Sequence, residues 1–516
     1  MPLLESYIGL FKTTTYRNFI IFRIVLNSRL NPNTLNTPLK VFFAILLLTA
    51  SQLSWGQTSI VYQYPELTKG INVSFGSYGR ISSSWNFKNA GVEGRRLNLN
   101  KMGSIGGRLD EQNYMELGME FKMLPENMTK DSTVVRVQVR TNVYSANGSL
   151  IGTSNTNSSD RLVIGLPEVF VEARDIFTKG LNIWTGSRFY RGEDVHLADY
   201  FYFNDHSGQG FGVEYKQTRF NANFISSSDT TQTVPPYFFL NIRSGTPSLE
   251  IRRRIAFKLE HDIVARKDHL LTLLGEYHTL GDPTNLSSDS TDNILLSFPR
   301  DDGWVLGAKY QVNNLKGFLP GSFYHVAVRY GQGIANGGDG GSSRSWETFG
   351  AVDTSNYKFH NAYSWHFVNH ALFNISDRLS INAYSIYNRN KGAANTREMA
   401  TTYLGQEVFN FKQDLSVGLK FLNYLTDYFH LQTELHYSQR QEGNQDWYRM
   451  TKVSLVPTIA TRGGRSVWSR PHIQFVFSLA RFNDFAAENQ FSPYLELMGA
   501  EKWGHYVGVR AEWWTW

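Results

Sequence analysis

The carboxyl-terminal residues of the chain alternate between two kinds of side chain. Val507, Val509 and Ala511 occupy odd positions, whereas Arg510 and Glu512 occupy even ones. Successive side chains of a β-strand point to opposite faces, so the segment predicts a strand with one apolar and one charged face. Such a strand fits a soluble sheet above a core. It also fits the wall of a membrane-spanning barrel, which has lipid outside and water inside.

The same sorting recurs in other segments of the chain, namely residues 114–121, 135–143, 323–330 and 429–436. In residues 135–143 the valines share one parity, while Arg136, Gln138 and Arg140 share the other. An arginine facing lipid costs about 2–4 kcal/mol near the bilayer midplane, which explains why the charges stay on one face. We therefore predict an all-β fold, a transmembrane antiparallel β-barrel.

Polar stretches of unequal length separate these segments. Long ones cover residues 226–245, 282–303 and 331–354, and a short turn is predicted near residues 423–427. Barrels of this type have long loops at one rim and tight turns at the other. About 460 residues, at about 25 per strand with its connection, give about 16 to 20 strands.

The amino-terminal segment predicts export. Its longest apolar run, residues 41–50, follows Lys40 and precedes the small residues Ser54 and Gly56. This arrangement is typical of a secretory signal, although a buried helix is the alternative, and the run is shorter than the roughly 18 residues of a spanning helix. We interpret the chain as three parts: an extension from a start codon placed too early (residues 1–39), a signal peptide (40–56) and the barrel (57–516).

Composition narrows the possible chemistry. The formal net charge of +6 comes largely from the first 56 residues, so it gives no reason to expect a nucleic-acid partner. The chain has no cysteine, which excludes disulfides, thiolate metal sites and cysteine nucleophiles. No cofactor or metal is expected. The sequence contains neither a G-x-S-x-G nor an H-E-x-x-H motif, so we do not expect an enzyme.

Five sets of short motifs follow one another along residues 57–516. They are SYGRISSSW (77–85), YMEL (114–117), WTGSRFY with DVHLADYFY (184–190, 194–202), DGW with LKGF (302–304, 315–318), and VWSRP with the terminal EWW (467–471, 512–514). Their order and approximate spacing resemble those of the maltoporins, the sugar-specific porins of bacterial outer membranes.

The resemblance implies an 18-stranded barrel that assembles as a homotrimer within outer-membrane lipid. A loop at residues 188–205 would fold inward and narrow the pore. The implied activity is facilitated passive diffusion of maltose, maltodextrins or related oligosaccharides. A general non-selective porin for small solutes is the alternative. A plugged transporter would need a globular plug, whereas strand-like alternation begins near Tyr78.

The resemblance also assigns an aromatic track for the apolar faces of sugar rings: Tyr78, Tyr114, Phe318, Trp468 and Trp514. Strand parity separately places Tyr114 with Glu116, and Trp514 with Arg510, on the inner face. For Trp514 the alternative is an aromatic residue of the membrane interface. For Phe318 the alternative is simple packing in a turn.

Hydrogen-bonding groups for the sugar hydroxyls would come from the opposite side of the path. By the resemblance, this polar track and constriction comprise Arg80, Arg108, Glu116, Arg191, Asp194, His196, Asp199 and Phe201. Any one of the charged groups could instead be a solvated charge inside the barrel. Two positions depart from the family pattern: Gly192 replaces an arginine, with Arg191 beside it, and Phe201 replaces a tyrosine. Both leave the preferred sugar open.

Overall fold

The computed structural model describes residues 71–86, 94–123, 133–145, 162–203, 205–225, 254–281, 299–337, 347–401 and 407–515. The predicted extension (residues 1–39) and signal peptide (40–56) lie outside these ranges. So do the predicted loop at residues 226–245 and residues 282–298 of the predicted loop at 282–303.

Eighteen strands of these residues form a single sheet. They are β1 (Ile71–Trp85), β2 (Tyr114–Met123), β3 (Val134–Ser145), β4 (Leu162–Arg174), β5 (Leu181–Arg188), β8 (Gly208–Tyr215), β9 (Thr218–Ile225), β10 (Arg254–Arg266), β11 (His269–Leu280), β12 (Asp301–Asn313), β13 (Phe323–Gly333), β14 (Tyr363–Ser376), β15 (Leu379–Lys391), β18 (Phe411–Tyr424), β19 (Phe429–Glu442), β20 (Tyr448–Ala460), β21 (His472–Phe482) and β22 (Trp503–Trp514). Two small ribbons lie in connections: β6 (Asp194–Val195) with β7 (Tyr200–Phe201), and β16 (Met399–Thr401) with β17 (Glu407–Phe409).

The sheet closes on itself because the first strand pairs with both the second and the last. Tyr78 of β1 lies opposite Glu116 of β2 and also opposite Trp514 of β22. Every ladder of the sheet is antiparallel, and consecutive strands of the wall are neighbours. Closure leaves no strand edge exposed. The predicted fold, an 18-stranded antiparallel barrel, is confirmed.

The predicted sorting of side chains by parity is also confirmed. In β21, Ile473, Phe475 and Phe477 are exposed on the outside, whereas Gln474 and Ser478 are buried on the inside. The outer wall therefore presents apolar side chains to lipid, and the inner wall presents polar ones to the channel.

Most of the long connections lie at one rim of the barrel, and most of the short ones lie at the other. We call them the long-loop rim and the short-turn rim. The short-turn rim includes residues 175–180, 216–217 and 377–378. The predicted turn at 423–427 is shifted slightly, because β18 continues to Tyr424 and the turn occupies residues 425–428.

Two strands extend into segments that the sequence predicted as loops, residues 282–303 and the glycine-rich residues 331–354. Strand β12 begins at Asp301, and β13 continues to Gly333. A side chain at Gly331 would collide with the backbone carbonyl of Ala335. Glycine is therefore needed there for a close approach of two backbone segments rather than for a loop.

Two segments from the long-loop rim fill part of the interior. Residues 94–113, between β1 and β2, bury Leu97, Met102 and Ile105 in the main apolar cluster. A second segment carries the helices α1 (Asp484–Glu488) and α2 (Pro493–Met498). The ring of Phe491, between these helices, stacks on Tyr448 at a centroid distance of 3.7 Å.

Within the described ranges, no helix combines the length and the apolar character required to cross a membrane.

Candidate solute-binding site inside the barrel

The constriction loop, residues 189–207, connects β5 to β8 and folds into the barrel. In β6 and in the turn before β7, Val195, Leu197 and Ala198 are buried, whereas Asp194 and His196 remain partly exposed. Apolar side chains thus fix the loop inside the barrel, while its polar side chains stay available to a solute. The predicted inward loop is confirmed.

Two tyrosines fasten this loop to the inner wall. The Tyr200 hydroxyl lies 3.0 Å from His366 Nδ1 and donates to Asn388 Oδ1 at 2.8 Å. The Tyr202 hydroxyl lies 2.6 Å from His370 Nδ1. Each hydroxyl is buried with a partner, as a buried polar group requires.

A third anchor joins His206 to the wall through Glu276. Each carboxylate oxygen of Glu276 faces one imidazole, His206 Nε2 at 3.2 Å and His278 Nε2 at 2.9 Å. These three residues could supply metal ligands. However, Arg254 donates to His278 Nδ1 at 2.8 Å, so the His278 proton sits on Nε2 and points at Glu276. This tautomer favours a hydrogen-bonded anchor over a metal centre.

Aromatic side chains of β1, β2 and β3 form a line along the inner wall, in its part nearer the long-loop rim. The rings of Tyr144 and Tyr114 are stacked, with centroids 6.4 Å apart and planes at 29°. The rings of Tyr114 and Tyr78 follow at 6.1 Å. Tyr144 lies near the end of β3 at the long-loop rim, so the line begins close to that opening.

The line continues from Tyr78 toward the short-turn rim. Trp514 lies opposite Tyr78 in the ladder between β1 and β22. The His196 ring meets Trp514 edge-on at 5.5 Å and Trp468 at 6.4 Å. His196 of the constriction loop therefore lies between Trp514 of β22 and Trp468 of the connection between β20 and β21. We call these residues the aromatic line: Tyr144, Tyr114, Tyr78, Trp514 and Trp468.

The structure does not bring Phe318 into contact with this line. Its ring lies 5.0 Å from Phe373, which shares the outward parity of Trp365 and Phe367 on β14. Phe318 belongs to the turn between β12 and β13, where no strand period fixes the direction of a side chain. Its proposed role in the track therefore has less geometric support than that of the other four predicted aromatics.

Arg108 connects the predicted polar residues to the aromatic line. Its Nη2 donates to the Tyr78 hydroxyl at 2.8 Å, and its Nη1 lies 3.0 Å from His196 Nδ1. Its Nε donates to Glu111 at 3.1 Å. Burial alone would raise the pKa of the Glu111 carboxyl, but Arg108 and Arg80 hold it well below its ordinary value. Glu111 is therefore a permanent anion that fixes both arginines.

His196 is neutral in this environment. Burial and the neighbouring Arg108 hold the pKa of its imidazole well below the ordinary value. Because Arg108 donates to Nδ1, the proton of the neutral ring sits on Nε2. That N–H faces Glu512 at 3.9 Å, which leaves space for a hydroxyl to compete for it.

Arg80 and Glu116 lie beside the tyrosines of the line. The Arg80 guanidinium is 5.1 Å from the centre of the Tyr114 ring and donates to the Tyr78 hydroxyl at 3.1 Å. Glu116 accepts from the Tyr114 hydroxyl at 2.6 Å and from Arg140 at 2.7 Å. Ionised groups and aromatic faces are thus interleaved on one stretch of wall.

Arg191 occupies the constriction beside the departure at Gly192. Its guanidinium lies 4.2 Å from the Phe189 ring and 5.0 Å from the Phe201 ring. Phe201 is buried, so it supports Arg191 rather than presenting a wall to the solute. Stacking on an aromatic ring restricts the guanidinium of an arginine. Its N–H donors point outward in the plane of the guanidinium, where they can still bind hydroxyls.

Asp194 and Asp199 place two carboxyl groups in the same loop. Burial and the charge of Asp199 raise the pKa of Asp194 to about 6. Asp194 therefore changes charge near neutral pH at the narrowest predicted part of the path.

Sequence reasoning missed several contributors to this site. Tyr144 has the same parity as Arg136 and Arg140 in β3, so its inward direction could have been read from the strand pattern. Glu111 carried no such signal, because it belongs to an irregular connection. Its role depends on Arg80 and Arg108, which reach it from a strand and from the same connection.

A closed barrel with an apolar outer wall, a charged interior and an inward loop defines a porin channel of the outer membrane. The chain belongs to the LamB porin family, whose model matches residues 73–514. The predicted family and the predicted location in the bacterial outer membrane are both confirmed.

Two solved structures are also similar to this chain. OmpF of Salmonella typhi, in complex with daunomycin, is 10% identical with a TM-score of 0.36, covering 86% of this chain and 98% of that one. OmpT of Vibrio cholerae, an outer membrane protein in its trimer form, is 9% identical with a TM-score of 0.38, covering 86% of this chain and 100% of that one.

Proposed function

We propose that this porin carries neutral oligosaccharides, maltose and maltodextrins or related sugars, by facilitated passive diffusion along the aromatic line. A sugar ring has weakly apolar C–H faces and a rim of hydroxyls. Flat aromatic faces bind the former, and charged donors and acceptors bind the latter. Binding at several weak positions allows the sugar to advance without being trapped.

The observation that carries the proposal is the interleaving of aromatic and ionised groups near Tyr78. Arg80 and Arg108 both donate to the Tyr78 hydroxyl, and Tyr114 shares Glu116 with Arg140. The groups that face a sugar hydroxyl are therefore already oriented before the sugar arrives. Preorganised donors reduce the entropic cost of each binding step.

The preferred sugar depends on the two departures in the constriction. Gly192 supplies no side chain where the family pattern has an arginine. The donors of the neighbouring Arg191 start from the next backbone position, so they lie elsewhere in the constriction. Phe201 lacks the hydroxyl of a tyrosine and lies beneath Arg191. Starch-type glucose chains are the first candidate, and other saccharides that need fewer contacts at this point are credible substrates.

Assembly as a homotrimer is part of the proposal. It follows from the family resemblance, and chemical cross-linking of the detergent-purified protein would test it. A ladder that ends at three copies supports the trimer, whereas a single monomer band contradicts it.

A planar-bilayer titration tests the proposed function. Ion current through the reconstituted channel is measured while a panel of sugars is added. A sugar channel gives saturable block, and the order of half-blocking concentrations identifies the preferred substrate. A general non-selective porin, the second candidate, gives no saturable block by any sugar.

Two substitutions test the aromatic line itself. Tyr114→Ala and Trp468→Ala should each weaken block by about 2- to 10-fold, because an aromatic contact contributes about 0.5–1.5 kcal/mol. Trp365→Ala is the matched control, since Trp365 faces outward and is exposed. Tyr114→Phe keeps the ring and removes the hydroxyl that binds Glu116. Unchanged block in both alanine variants would reject the stacking role.

A further inference from the structure

A groove of about 630 Å³ crosses the outer wall of the barrel between β13 and β20, and we call it the outer groove. Small side chains with outward parity give it depth: Ala371 of β14, with Ala383 and Ser385 of β15. Ala371 lies directly opposite Ala383 in the ladder between these strands. Larger side chains line the groove around them, namely Tyr324, Phe373, Leu419, Leu435 and Tyr437. The outer groove is therefore a channel in the apolar surface that faces lipid.

The outer groove has the length of a lipid acyl chain. From β20 to β13 it crosses five ladders, those of β20 with β19, β19 with β18, β18 with β15, β15 with β14 and β14 with β13. At about 4.8 Å for each ladder, this is about 24 Å. The acyl chains of one leaflet cross about half of a hydrocarbon core that is roughly 30 Å thick. The outer groove can therefore hold one chain along its whole length.

Outward-facing cations lie where the outer groove approaches the long-loop rim. We call them the basic patch: Arg389 and Lys391 of β15, Arg449 of β20 and Arg481 of β21. No carboxylate has outward parity in β15 or in β18–β22. Elsewhere on the described outer wall, the strand halves nearer this rim carry one outward charge, Asp302 of β12. Positive charge is thus concentrated on the strands that form the outer groove or adjoin it.

The basic patch and the outer groove meet at Thr451. This residue lines the groove and lies opposite Arg481 in the ladder between β20 and β21. Arg449 precedes Thr451 by two residues, so it lies on the same outer face. A molecule with an anionic head and an apolar chain can therefore place its head on the two arginines and its chain in the groove.

The two guanidiniums nearest this junction can accept an anion. Arg449 and Arg481 are exposed, and neither makes an ion pair with a described residue. The Arg481 guanidinium lies 5.8 Å from the centre of the exposed Trp503 ring. Asp484, the carboxylate that follows β21, is instead bound by Lys502 at 2.7 Å. A guanidinium presents its N–H donors as a fork that matches the oxygens of a phosphate.

The position of the basic patch identifies the leaflet that it meets. Barrels of the outer membrane have their longer loops outside the cell, so the patch lies at the outer leaflet. Lipopolysaccharide forms that leaflet, and its lipid A has phosphates at the two ends of a disaccharide. Arg389 and Arg449 are separated by three ladders, about 14 Å. Two phosphates on one disaccharide suit such a spread, whereas a phospholipid has one phosphate.

Polar side chains inside the outer groove fit the chains of the same lipid. Asn369 and Ser385 both line the groove and lie opposite each other in the ladder between β14 and β15. The acyl chains of lipid A carry hydroxyl groups, which can bond to an amide or to a serine hydroxyl, whereas the chains of a phospholipid carry none.

We infer that the outer groove and the basic patch together bind one molecule of lipopolysaccharide. One acyl chain of its lipid A lies in the groove, and its phosphates bind Arg449, Arg481 and the cations of β15. The site lies on the outside of the barrel, so it does not depend on the passage of a sugar and goes beyond the proposed function.

Native mass spectrometry of the detergent-purified protein, titrated with lipid A that carries two phosphates, tests the basic patch. Combining Arg449→Ala with Arg481→Ala should weaken binding by about 10- to 30-fold, since each arginine contributes about fivefold at an anionic lipid surface. Arg378→Ala is the matched control, because Arg378 is exposed on the same wall but lies at the short-turn rim. Normal single-channel conductance confirms that each variant is folded. Equal affinity in the wild type and the double variant would overturn the inference.

The outer groove is tested by filling it. Ala383→Phe places a ring in the groove and should weaken lipid A binding by about fourfold for each methylene group that it displaces. Val171→Phe is the control, because Val171 is an exposed outward residue of β4 on another part of the wall. Unchanged binding in Ala383→Phe would contradict a chain in the groove. If this variant alters the mass of the assembly and not lipid binding, a second copy of the chain occupies the groove instead.

Two further lipids identify the occupant. Lipid A without its phosphates and phosphatidylglycerol should each bind at least 10-fold more weakly than lipid A with two phosphates. The affinity of the dephosphorylated lipid A should be the same in the wild type and in the double arginine variant. Phosphatidylglycerol that binds as tightly as the phosphorylated lipid A would overturn the assignment to lipopolysaccharide.

Discussion

The inner wall formed by β2–β5 is lined with ionised side chains, whereas the wall formed by β14 and β15 is lined with neutral ones. On the charged wall the sign alternates from strand to strand. Glu116 of β2 pairs with Arg140 of β3, which also pairs with Glu168 of β4. A second row runs from Arg136 of β3 to Glu172 of β4 at 2.9 Å.

The neutral wall uses histidine and asparagine instead. His366 of β14 lies 2.8 Å from Asn388 of β15, and His370 lies 2.8 Å from Asn382. Tyr200 and Tyr202 of the constriction loop bind these same histidines. The loop is therefore seated on the neutral wall and faces the region of the aromatic line.

The difference reflects the cost of removing charge from water. Burying an ion beneath a packed loop costs several kcal/mol per group, whereas a neutral hydrogen bond can be buried at little net cost. The two strands that receive Tyr200 and Tyr202, β14 and β15, accordingly present neutral side chains to the loop. The charged wall remains beside the open path, where its groups can exchange partners with water or sugar hydroxyls.

The largest effect is expected from Arg140→Ala on the charged wall. The change leaves Glu116 and Glu168 without their shared cation, and both are buried. Removing one partner of a buried ion pair typically costs about 3–5 kcal/mol. We therefore expect the urea midpoint of unfolding in lipid vesicles to fall, with tryptophan fluorescence as the signal. Reversal potentials should also shift toward cation selectivity.

Arg140→Lys is the matched control, because it keeps the charge and should recover most of the ion selectivity. Combining Arg140→Ala with Glu116→Gln removes one of the uncompensated anions. This double variant should be more stable than Arg140→Ala alone. If it is less stable, the charges of this wall are not coupled through Arg140.

A smaller effect is expected from Tyr202→Phe on the neutral wall. The change removes one hydrogen bond to His370, and we expect a loss of about 1 kcal/mol in unfolding free energy. Because the hydroxyl seats the constriction loop, open-channel current noise should also increase. Tyr437→Phe removes a hydrogen bond on the outer wall and should leave the noise unchanged. If the open-channel current noise of Tyr202→Phe equals that of the wild type, apolar packing alone holds the loop.

Much of the charged wall could be predicted from the sequence. Residues 135–143 place Arg136 and Arg140 on one parity, and residues 114–121 do the same for Tyr114 and Glu116. The alternation along a strand determines whether a side chain points inward or outward. The pairing of strands in the closed sheet then determines which side chains are neighbours. The contact of Tyr114 with Glu116, two residues apart on one strand, follows directly from this pattern.

The contacts of the constriction loop could not be predicted in this way. Tyr202 and His370 are 168 residues apart, and Arg108 and His196 are 88 apart. No period links them, because at least one partner lies in an irregular connection. Phe318 shows the same limit: a motif in a turn identifies a residue but does not determine where its ring points.

The smallest expected effect concerns Asp194, which faces the path from the neutral seat of the loop. Burial and Asp199 raise its pKa to about 6, above the usual value of about 3.9. The carboxyl is therefore neutral below that pH and charged above it. Cation selectivity should increase as pH rises through about 6.

The free energy of unfolding should fall as pH rises from about 4 to about 6. In this range the folded state still holds the proton of Asp194, whereas the unfolded chain has already lost it. Asp194→Asn should flatten both profiles, measured as reversal potential and urea midpoint. A transition near pH 6 that survives in Asp194→Asn would assign the titration to another group of the constriction.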